Sequence, residues 1–211
     1  MLPGPNYIYR CPLCDTLYSK YSLMSGNTFG ADFFSDGRYF ARMLPEFPII
    51  TKCFECTTIF WLDKTNEIGS YYWGEKINKE WEEAFNADFL TLNDYFLALE
   101  FHLPRTIKQE IYIRKRIWWK MNDSIRFKEE LPAYENENQL WSDNINKLIS
   151  LLNSGDDDEK IIIAELHRNL GNFDTCKKIL DSIANPKYDW LKKAMTKACK
   201  SKNKKVFQLK K

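Results

Sequence analysis

The sequence predicts an α+β fold with two modules, a β-rich module over residues 1–76 and an α-helical module over residues 77–211. Two observations lead to this prediction. Cysteines, glycines and short extended apolar segments characterise the first third of the chain, whereas apolar residues recur at helical spacing from about Lys79 onward. The content of 44% hydrophobic and 15% aromatic residues indicates a folded chain rather than a disordered one.

Four of the six cysteines form two C-x-x-C pairs, and each pair lies between strand-like segments. Cys11 and Cys14 follow NYIYR, and Cys53 and Cys56 precede TTIFWL. Two intervening residues allow both thiolates of a pair to face one ion, and two pairs complete a tetrahedral Cys₄ shell. A redox motif would need a βαβ context, and disulfides suit an exported chain, whereas the N-terminus has no secretory signal. Zinc is favoured, with the redox and disulfide alternatives left open.

This pattern resembles the zinc-ribbon family over residues 6–63. The resemblance implies a structural Zn²⁺ ion with four sulfur ligands and no open position for a catalytic water. The implied ligands are Cys11, Cys14, Cys53 and Cys56. The residue after each pair is often glycine in that family, whereas here it is Asp15 and Thr57, and the 38 residues between the pairs form a long connection.

The segment SGNTFGADFFSDG, residues 25–37, lies between the two cysteine pairs. It lacks the Gly-Lys-Ser/Thr of a phosphate loop. Asp36-Gly37 is favoured in hairpin turns and is flanked by Phe33-Phe34 and Tyr39-Phe40. We therefore expect a long β-hairpin whose aromatic residues pack beside the metal site. A binding role for this loop is the alternative.

The helical module contains several start signals. A short helix is predicted after Asn78, one after Thr91 with Asp94 completing a capping box, and one after Thr106 with Gln109 three residues later. A further helix is predicted over about 137–152. The acidic run at 156–159 is interpreted as another capped helix start, because acids there oppose the positive end of the helix dipole.

The segment IIIAELHRNLGNFDTCKKILDSIANP resembles one tetratricopeptide (TPR) repeat over residues 157–186. Ala164 matches the small-residue position of that family, and Gly171 matches its turn between paired helices. Packing positions of the second helix are matched by Phe173, Cys176, Leu180 and Ile183. The resemblance implies a TPR-like bundle completed by neighbouring helices. The whole layout also resembles bacterial proteins of unassigned function that join these two modules.

The predicted helix at 106–122 has two stripes of different character. One apolar face, which should be core, contains Ile107, Ile111, Ile113, Ile117, Trp118 and Met121, with Glu110 and Arg114 spaced to pair beside it. A second stripe alternates basic and aromatic side chains and is a candidate partner-binding surface: Lys108, Tyr112, Lys115 and Trp119. In the alternative interpretation the helix is buried on two sides and its lysines extend to solvent.

Charge and motif content favour a non-enzymatic interaction protein. The segment from Lys187 to Lys211 has ten lysines and one acid, a local charge of +9 in a chain of +2. Such a segment attracts nucleic acid, or is simply a solvated helix face. We expect an adaptor with a protein partner, and the alternative is nucleic-acid binding through helix 106–122 and the basic tail. No activated nucleophile is evident, so an enzyme is least favoured. No apolar run reaches about 18 residues, so we expect a cytoplasmic protein without membrane spans.

Overall fold

The structure is a computed structural model that describes residues 1–128 and 137–210, apart from the side chains of residues 137 and 138. It contains helices and several small sheets, which confirms the predicted combination of α and β structure. The chain divides into two compact units. We call Met1–Ala31 with Phe40–Leu103 the cysteine unit, and Asp32–Tyr39 with Pro104–Lys211 the helical unit. The division into domains at residue 76 stays a prediction.

The strands and helices are short in the cysteine unit and longer in the helical unit. In chain order the described strands are β1 (Leu2–Pro3), β2 (Asn6–Arg10), β3 (Leu17–Lys20), β4 (Leu23–Ser25), β5 (Asp32–Phe34), β6 (Tyr39–Phe40), β7 (Ile50–Lys52), β8 (Ile59–Trp61), β9 (Glu67–Tyr71), β10 (Phe85–Asn86) and β11 (Gln208–Leu209). The described helices are α1 (Lys79–Glu82), α2 (Leu92–Glu100), α3 (Ile107–Phe127), α4 (Glu137–Leu151), α5 (Asp157–Leu170), α6 (Phe173–Asp181) and α7 (Asp189–Lys200), with a 3₁₀ turn at Pro186–Tyr188.

The strands of the cysteine unit pair mainly antiparallel, and the pair β10–β3 is parallel. Strands β2 and β3 form the centre of a four-stranded sheet in the order β10-β3-β2-β9, and β7 pairs with β8 separately. Gly69 in β9 is required by packing, because a Cβ atom there would lie 2.5 Å from the Trp81 ring. One buried cluster of this unit includes two of the cysteines and consists of Tyr9, Cys11, Tyr18, Cys53, Phe60 and Leu62.

The predicted helix starts are confirmed by their capping hydrogen bonds. Thr91 and Asp94 form a reciprocal capping box at the start of α2. The Thr106 side chain accepts from the Gln109 amide at 3.2 Å, and the Asp156 side chain accepts from the Glu159 amide at 3.0 Å. These side chains satisfy backbone N–H groups that a helix cannot satisfy internally.

The apolar face predicted on α3 is buried from its second turn onward. Ile113, Ile117 and Trp118 are inaccessible to solvent, and Glu110 pairs with Arg114 at 2.8 Å as predicted. Ile107, in the first turn, is 64% exposed, so the prediction that it belongs to the core is wrong. The buried face therefore begins about one helical turn after the start of α3.

Helix α5 contributes to two apolar clusters in the helical unit. Leu166 packs with Trp118 of α3 and with Ile145 and Leu148 of α4. Ala164 belongs to a second cluster, which otherwise contains Ile161, Cys176, Leu180, Ile183, Tyr188, Met195 and Cys199. Gly171 ends α5 with a φ of +87°. The paired helices α5 and α6 are therefore confirmed, and a TPR-like bundle stays a prediction.

Residues 32–39 form a hairpin that belongs to the helical unit. Strand β5 pairs with β11, and the turn is closed by the Gly37 amide, which donates to Phe34 O at 3.0 Å. Gly37 has a φ of +75°, which explains the Asp-Gly sequence. Phe34 lies under the Arg126 guanidinium, 4.6 Å from ring centroid to Cζ. Phe33, Phe34 and Tyr39 are not in the described buried cluster around Cys11 and Cys53, and their packing beside the metal site stays a prediction.

Buried ion pairs hold the turn of this hairpin. The Asp36 carboxylate accepts hydrogen bonds from the Arg126 guanidinium and from the side-chain amide of Asn122, the latter at 2.7 Å. Asp123 pairs with both Arg38 and Arg126. The side chains of Asp36 and Arg126 have no solvent exposure, so each charge depends on the other for compensation.

A second buried pair joins α5 to the same hairpin. Arg168 Nε donates to Glu165 Oε2 at 2.7 Å, and Ser35 Oγ donates to Glu165 Oε1 at 2.7 Å. The Arg168 guanidinium also donates to the main-chain oxygens of Asn203 and Lys205. Burial raises the pKa of Glu165, while Arg168 and Ser35 oppose that rise.

Candidate metal centre

The four cysteines predicted as ligands converge at one point of the cysteine unit. Their sulfur atoms all lie within 4.8 Å of one another, with 3.5 Å between Cys11 and Cys56 and 3.5 Å between Cys14 and Cys53. A tetrahedral zinc site with Zn–S bonds of about 2.3 Å has S···S edges of about 3.8 Å. The cluster therefore has the size of a metal-thiolate shell. All four are free cysteines, and neither 3.5 Å separation approaches the ~2.05 Å of a disulfide bond.

The first cysteine pair occupies the tight turn between β2 and β3. The Cys11 amide donates to Thr16 O at 2.9 Å, and the Asp15 amide donates to Cys11 O at 3.1 Å. The Cys14 sulfur lies 3.1 Å from Thr16 Oγ1. These bonds fold the chain back on itself, so the turn presents both sulfur atoms from adjacent positions.

The second pair repeats this arrangement between β7 and β8. The Cys53 amide donates to Thr58 O at 2.8 Å, and the Thr57 amide donates to Cys53 O at 3.0 Å. The Cys56 sulfur lies 3.3 Å from Thr58 Oγ1. Both turns therefore follow the pattern C-x-x-C-x-T, and the threonine hydroxyl contacts the second sulfur in each.

The threonines were not among the predicted site residues, although the sequence contains a signal for them. CPLCDT and CFECTT share a threonine two positions after the second cysteine. A hydroxyl that donates to a thiolate orients the sulfur and stabilises its charge, as groups around metal ligands commonly do. The repeated threonine could therefore have predicted these hydroxyl–sulfur contacts from the sequence.

The residue after each pair adopts a left-handed conformation. Asp15 has a φ of +62° and Thr57 a φ of +60°. This region favours glycine, the residue often found there in zinc ribbons. Asp15 and Thr57 thus adopt the backbone conformation that glycine favours, although neither is glycine. Thr57 is the more strained of the two, because a β-branched residue rarely occupies this region.

The four sulfur atoms differ in their surroundings. Cys11 and Cys53 are buried, Cys56 is partly buried, and Cys14 is exposed. Burial raises the pKa of Cys11 to about 12. Burial acts in the same direction on Cys53, but hydrogen bonds from the Cys56 amide, the Tyr18 hydroxyl and Cys14 together lower its pKa to about 6. A bound cation would favour the thiolate form of all four ligands.

Tyr18 is a further residue of the centre that sequence reasoning missed. Its hydroxyl accepts from the Phe54 amide at 2.6 Å and hydrogen-bonds to Cys53. Its ring packs edge-on against Phe60, with centroids 5.6 Å apart. Tyr18 therefore links the apolar cluster to the second cysteine turn. No local sequence signal marks it, since Phe54 lies 36 residues further along the chain.

The predicted partner-binding stripe lies on α3 of the helical unit. Lys108 is exposed, whereas Tyr112, Lys115 and Trp119 are partly buried. The Trp119 indole donates to Asp36 O at 3.0 Å, and Lys115 Nζ lies 5.1 Å from the centroid of its ring. One end of the stripe thus contributes to the packing of the 32–39 hairpin.

Comparisons with known proteins identify no relative, since no family model, curated protein or solved structure matches this chain. Within the described ranges 1–128 and 137–210, no helix combines the length and the apolar character needed to cross a bilayer.

Proposed function

We propose that the chain binds one Zn²⁺ ion through Cys11, Cys14, Cys53 and Cys56. The observation that carries this proposal is the convergence of four sulfur atoms within 4.8 Å, at the size expected of a tetrahedral thiolate shell. Soft thiolate ligands in a tetrahedral set favour zinc over hard cations such as magnesium and calcium. A donor set made only of sulfur supports zinc further.

The zinc has a structural role in this proposal. Four protein ligands fill the tetrahedral shell, which leaves no position for substrate or for an activated water. Binding of zinc to small modules contributes about 10–16 kcal/mol of apparent free energy at neutral pH, comparable with the whole stability of a domain. The ion would hold the two turns, and through them β2, β3, β7 and β8, in one arrangement.

We further propose a zinc-ribbon module joined to a TPR-like helical module in a non-enzymatic interaction protein of the cytoplasm. The paired cysteine turns at the tips of hairpins support the first assignment, and the α5–α6 helix pair with buried Ala164, Cys176 and Leu180 supports the second. Both module types commonly serve recognition. A protein partner is favoured by this reasoning, and nucleic acid is the alternative.

Metal analysis of purified protein tests the zinc proposal. We expect about one zinc per chain, as for a single Cys₄ site, and its loss in Cys11→Ser/Cys53→Ser. The matched control is Cys176→Ala/Cys199→Ala, which removes the two cysteines of the helical unit and should retain the metal. Folded wild-type protein without stoichiometric metal, or with iron in place of zinc, would contradict the proposal.

A further inference from the structure

Helix α7 presents a groove lined by lysines. Two adjoining clefts of about 470 and 490 Å³ share Lys200 in their walls. The first cleft is also lined by Lys192, Lys193 and Lys197 of α7, and the second by Lys177 and Lys202. We call this surface the α7 groove, and its principal cations are Lys193, Lys197, Lys200 and Lys202.

The positive charge of the groove is only partly compensated within the chain. Asp174 and Asp189, the two acids that line the clefts, pair with Lys177 at 2.8 Å and with Lys192 at 3.8 Å. Among the residues that the structure describes, the four principal lysines make no salt bridge. Like charges three or four residues apart destabilise a helix, so this arrangement has a cost that a bound polyanion would offset.

An aromatic side chain continues the same stripe. Trp190, Lys193, Lys197 and Lys200 follow one another at spacings of three, four and three residues, which places them along one side of α7. Trp190 is 36% exposed. Lysines that track a phosphate backbone, together with an aromatic ring that stacks on a base, are the usual elements of a single-strand binding surface.

The burial of α7 argues against a lipid surface as the ligand. Its apolar face is used internally, because Met195 and Cys199 lie in the cluster formed with α5 and α6. An interfacial helix needs a free apolar face to enter the bilayer boundary. What remains outside is mainly cationic, and it is complementary to a hydrated polyanion.

We infer that the α7 groove binds single-stranded nucleic acid, with Lys193, Lys197 and Lys200 on the phosphates and Trp190 against a base. The inference rests on the proposed interaction role and develops its nucleic-acid alternative. It does not depend on the metal. It places the nucleic-acid surface on α7, which lies within the basic segment that the sequence-based alternative named together with helix 106–122.

The test is fluorescence anisotropy with labelled oligothymidylate and oligouridylate of about 20 nucleotides, longer than the ~4–16 nucleotides that single-strand sites span. Affinity is measured between about 50 and 200 mM salt, because each neutralised phosphate contributes about 0.7 to the slope of log K against log[salt]. We expect Lys193→Gln/Lys197→Gln/Lys200→Gln to reduce the slope by about 2 and the affinity by roughly 100-fold at 0.1 M salt.

Two further variants separate the inference from general charge effects. Lys76→Gln/Lys79→Gln/Lys147→Gln removes the same charge from exposed lysines elsewhere and should leave the slope unchanged. Trp190→Ala should weaken binding about tenfold at an unchanged slope, since stacking releases no counterions. Circular dichroism and thermal unfolding establish that each variant is folded.

Three results would overturn the inference: no binding by zinc-loaded wild-type protein, equal losses in the two triple variants, or equal affinity for a polyglutamate of similar length. Zinc content is determined on the same samples. Protein that contains zinc and does not bind the oligonucleotides contradicts this inference alone. Protein that binds them without zinc contradicts the metal proposal alone.

Discussion

The cysteine unit and the helical unit differ in the means that hold their cores together. In the cysteine unit, Cys11 and Cys53 of the metal centre belong to a buried cluster with Tyr9, Tyr18, Phe60 and Leu62. In the described part of the helical unit, two apolar clusters meet at α5, and buried ion pairs lie around the 32–39 hairpin. A bound metal would join the ligands of the first cluster to one another, whereas the two clusters of the helical unit contain none of the four proposed ligands. The two units should therefore respond differently to the loss of metal and to the loss of a buried charge.

The largest expected effect is the response to metal removal. Dialysis against a strong chelator should abolish hydrogen-exchange protection in β2, β3, β7 and β8, since about 10–16 kcal/mol of binding free energy is lost with the ion. Protection in α5 and α6 should persist, because their clusters contain no ligand of the metal. Equal loss in both units, or no loss in either, would break the comparison.

A smaller but substantial effect is expected from removal of one buried charge in the helical unit. Arg168→Met leaves Glu165 buried without its partner, which should lower the free energy of unfolding by about 3–5 kcal/mol in a denaturant titration. Glu165→Met/Arg168→Met should recover part of that loss, because no unpaired charge remains.

The control for this variant is Lys79→Met, which breaks the exposed pair with Glu83 and should leave the unfolding midpoint unchanged. A loss in the control as large as that in Arg168→Met would show that burial is not the cause.

The smallest expected effect is a gain in stability at the second cysteine turn. Thr57→Gly keeps the left-handed backbone but removes its cost for a residue with a Cβ atom, about 1–2 kcal/mol. The greater conformational entropy that glycine loses on folding offsets about 0.5–1 kcal/mol of this gain. The net expectation is a gain of about 0.5–1 kcal/mol in the zinc-loaded protein. Thr65→Gly is the control, since Thr65 is not in the positive-φ region and should gain nothing. Destabilisation by Thr57→Gly would indicate that its side chain has a role beyond conformation.

Local patterns made the cysteine centre and the helix starts predictable. Two C-x-x-C pairs identify four ligands because the spacing itself sets the geometry, and a cap such as Thr106 needs only its neighbour three residues away. Thr16 of CPLCDT and Thr58 of CFECTT lie two residues after the second cysteine of their pair. This repeated position could have predicted that both hydroxyls contact a sulfur atom.

Long-range polar contacts were not predictable in the same way. The Asp36-Gly37 turn was evident from the sequence, but its place in the helical unit depends on Ser35 meeting Glu165, which is 130 residues away. A buried Arg168 looks like any surface arginine in sequence, because burial of a charge depends on partners from distant segments. The sequence likewise predicted Trp119 as a partner-binding residue, whereas in the structure its indole N–H donates to the main-chain oxygen of Asp36, 83 residues away.

The most direct test of the metal centre is X-ray absorption at the zinc edge of the purified protein. A closed Cys₄ site should give four sulfur neighbours at about 2.3 Å and no nitrogen or oxygen in the coordination shell. Fewer than four sulfur neighbours, or a nitrogen or oxygen at about 2.0–2.1 Å, would contradict a closed Cys₄ site formed by Cys11, Cys14, Cys53 and Cys56.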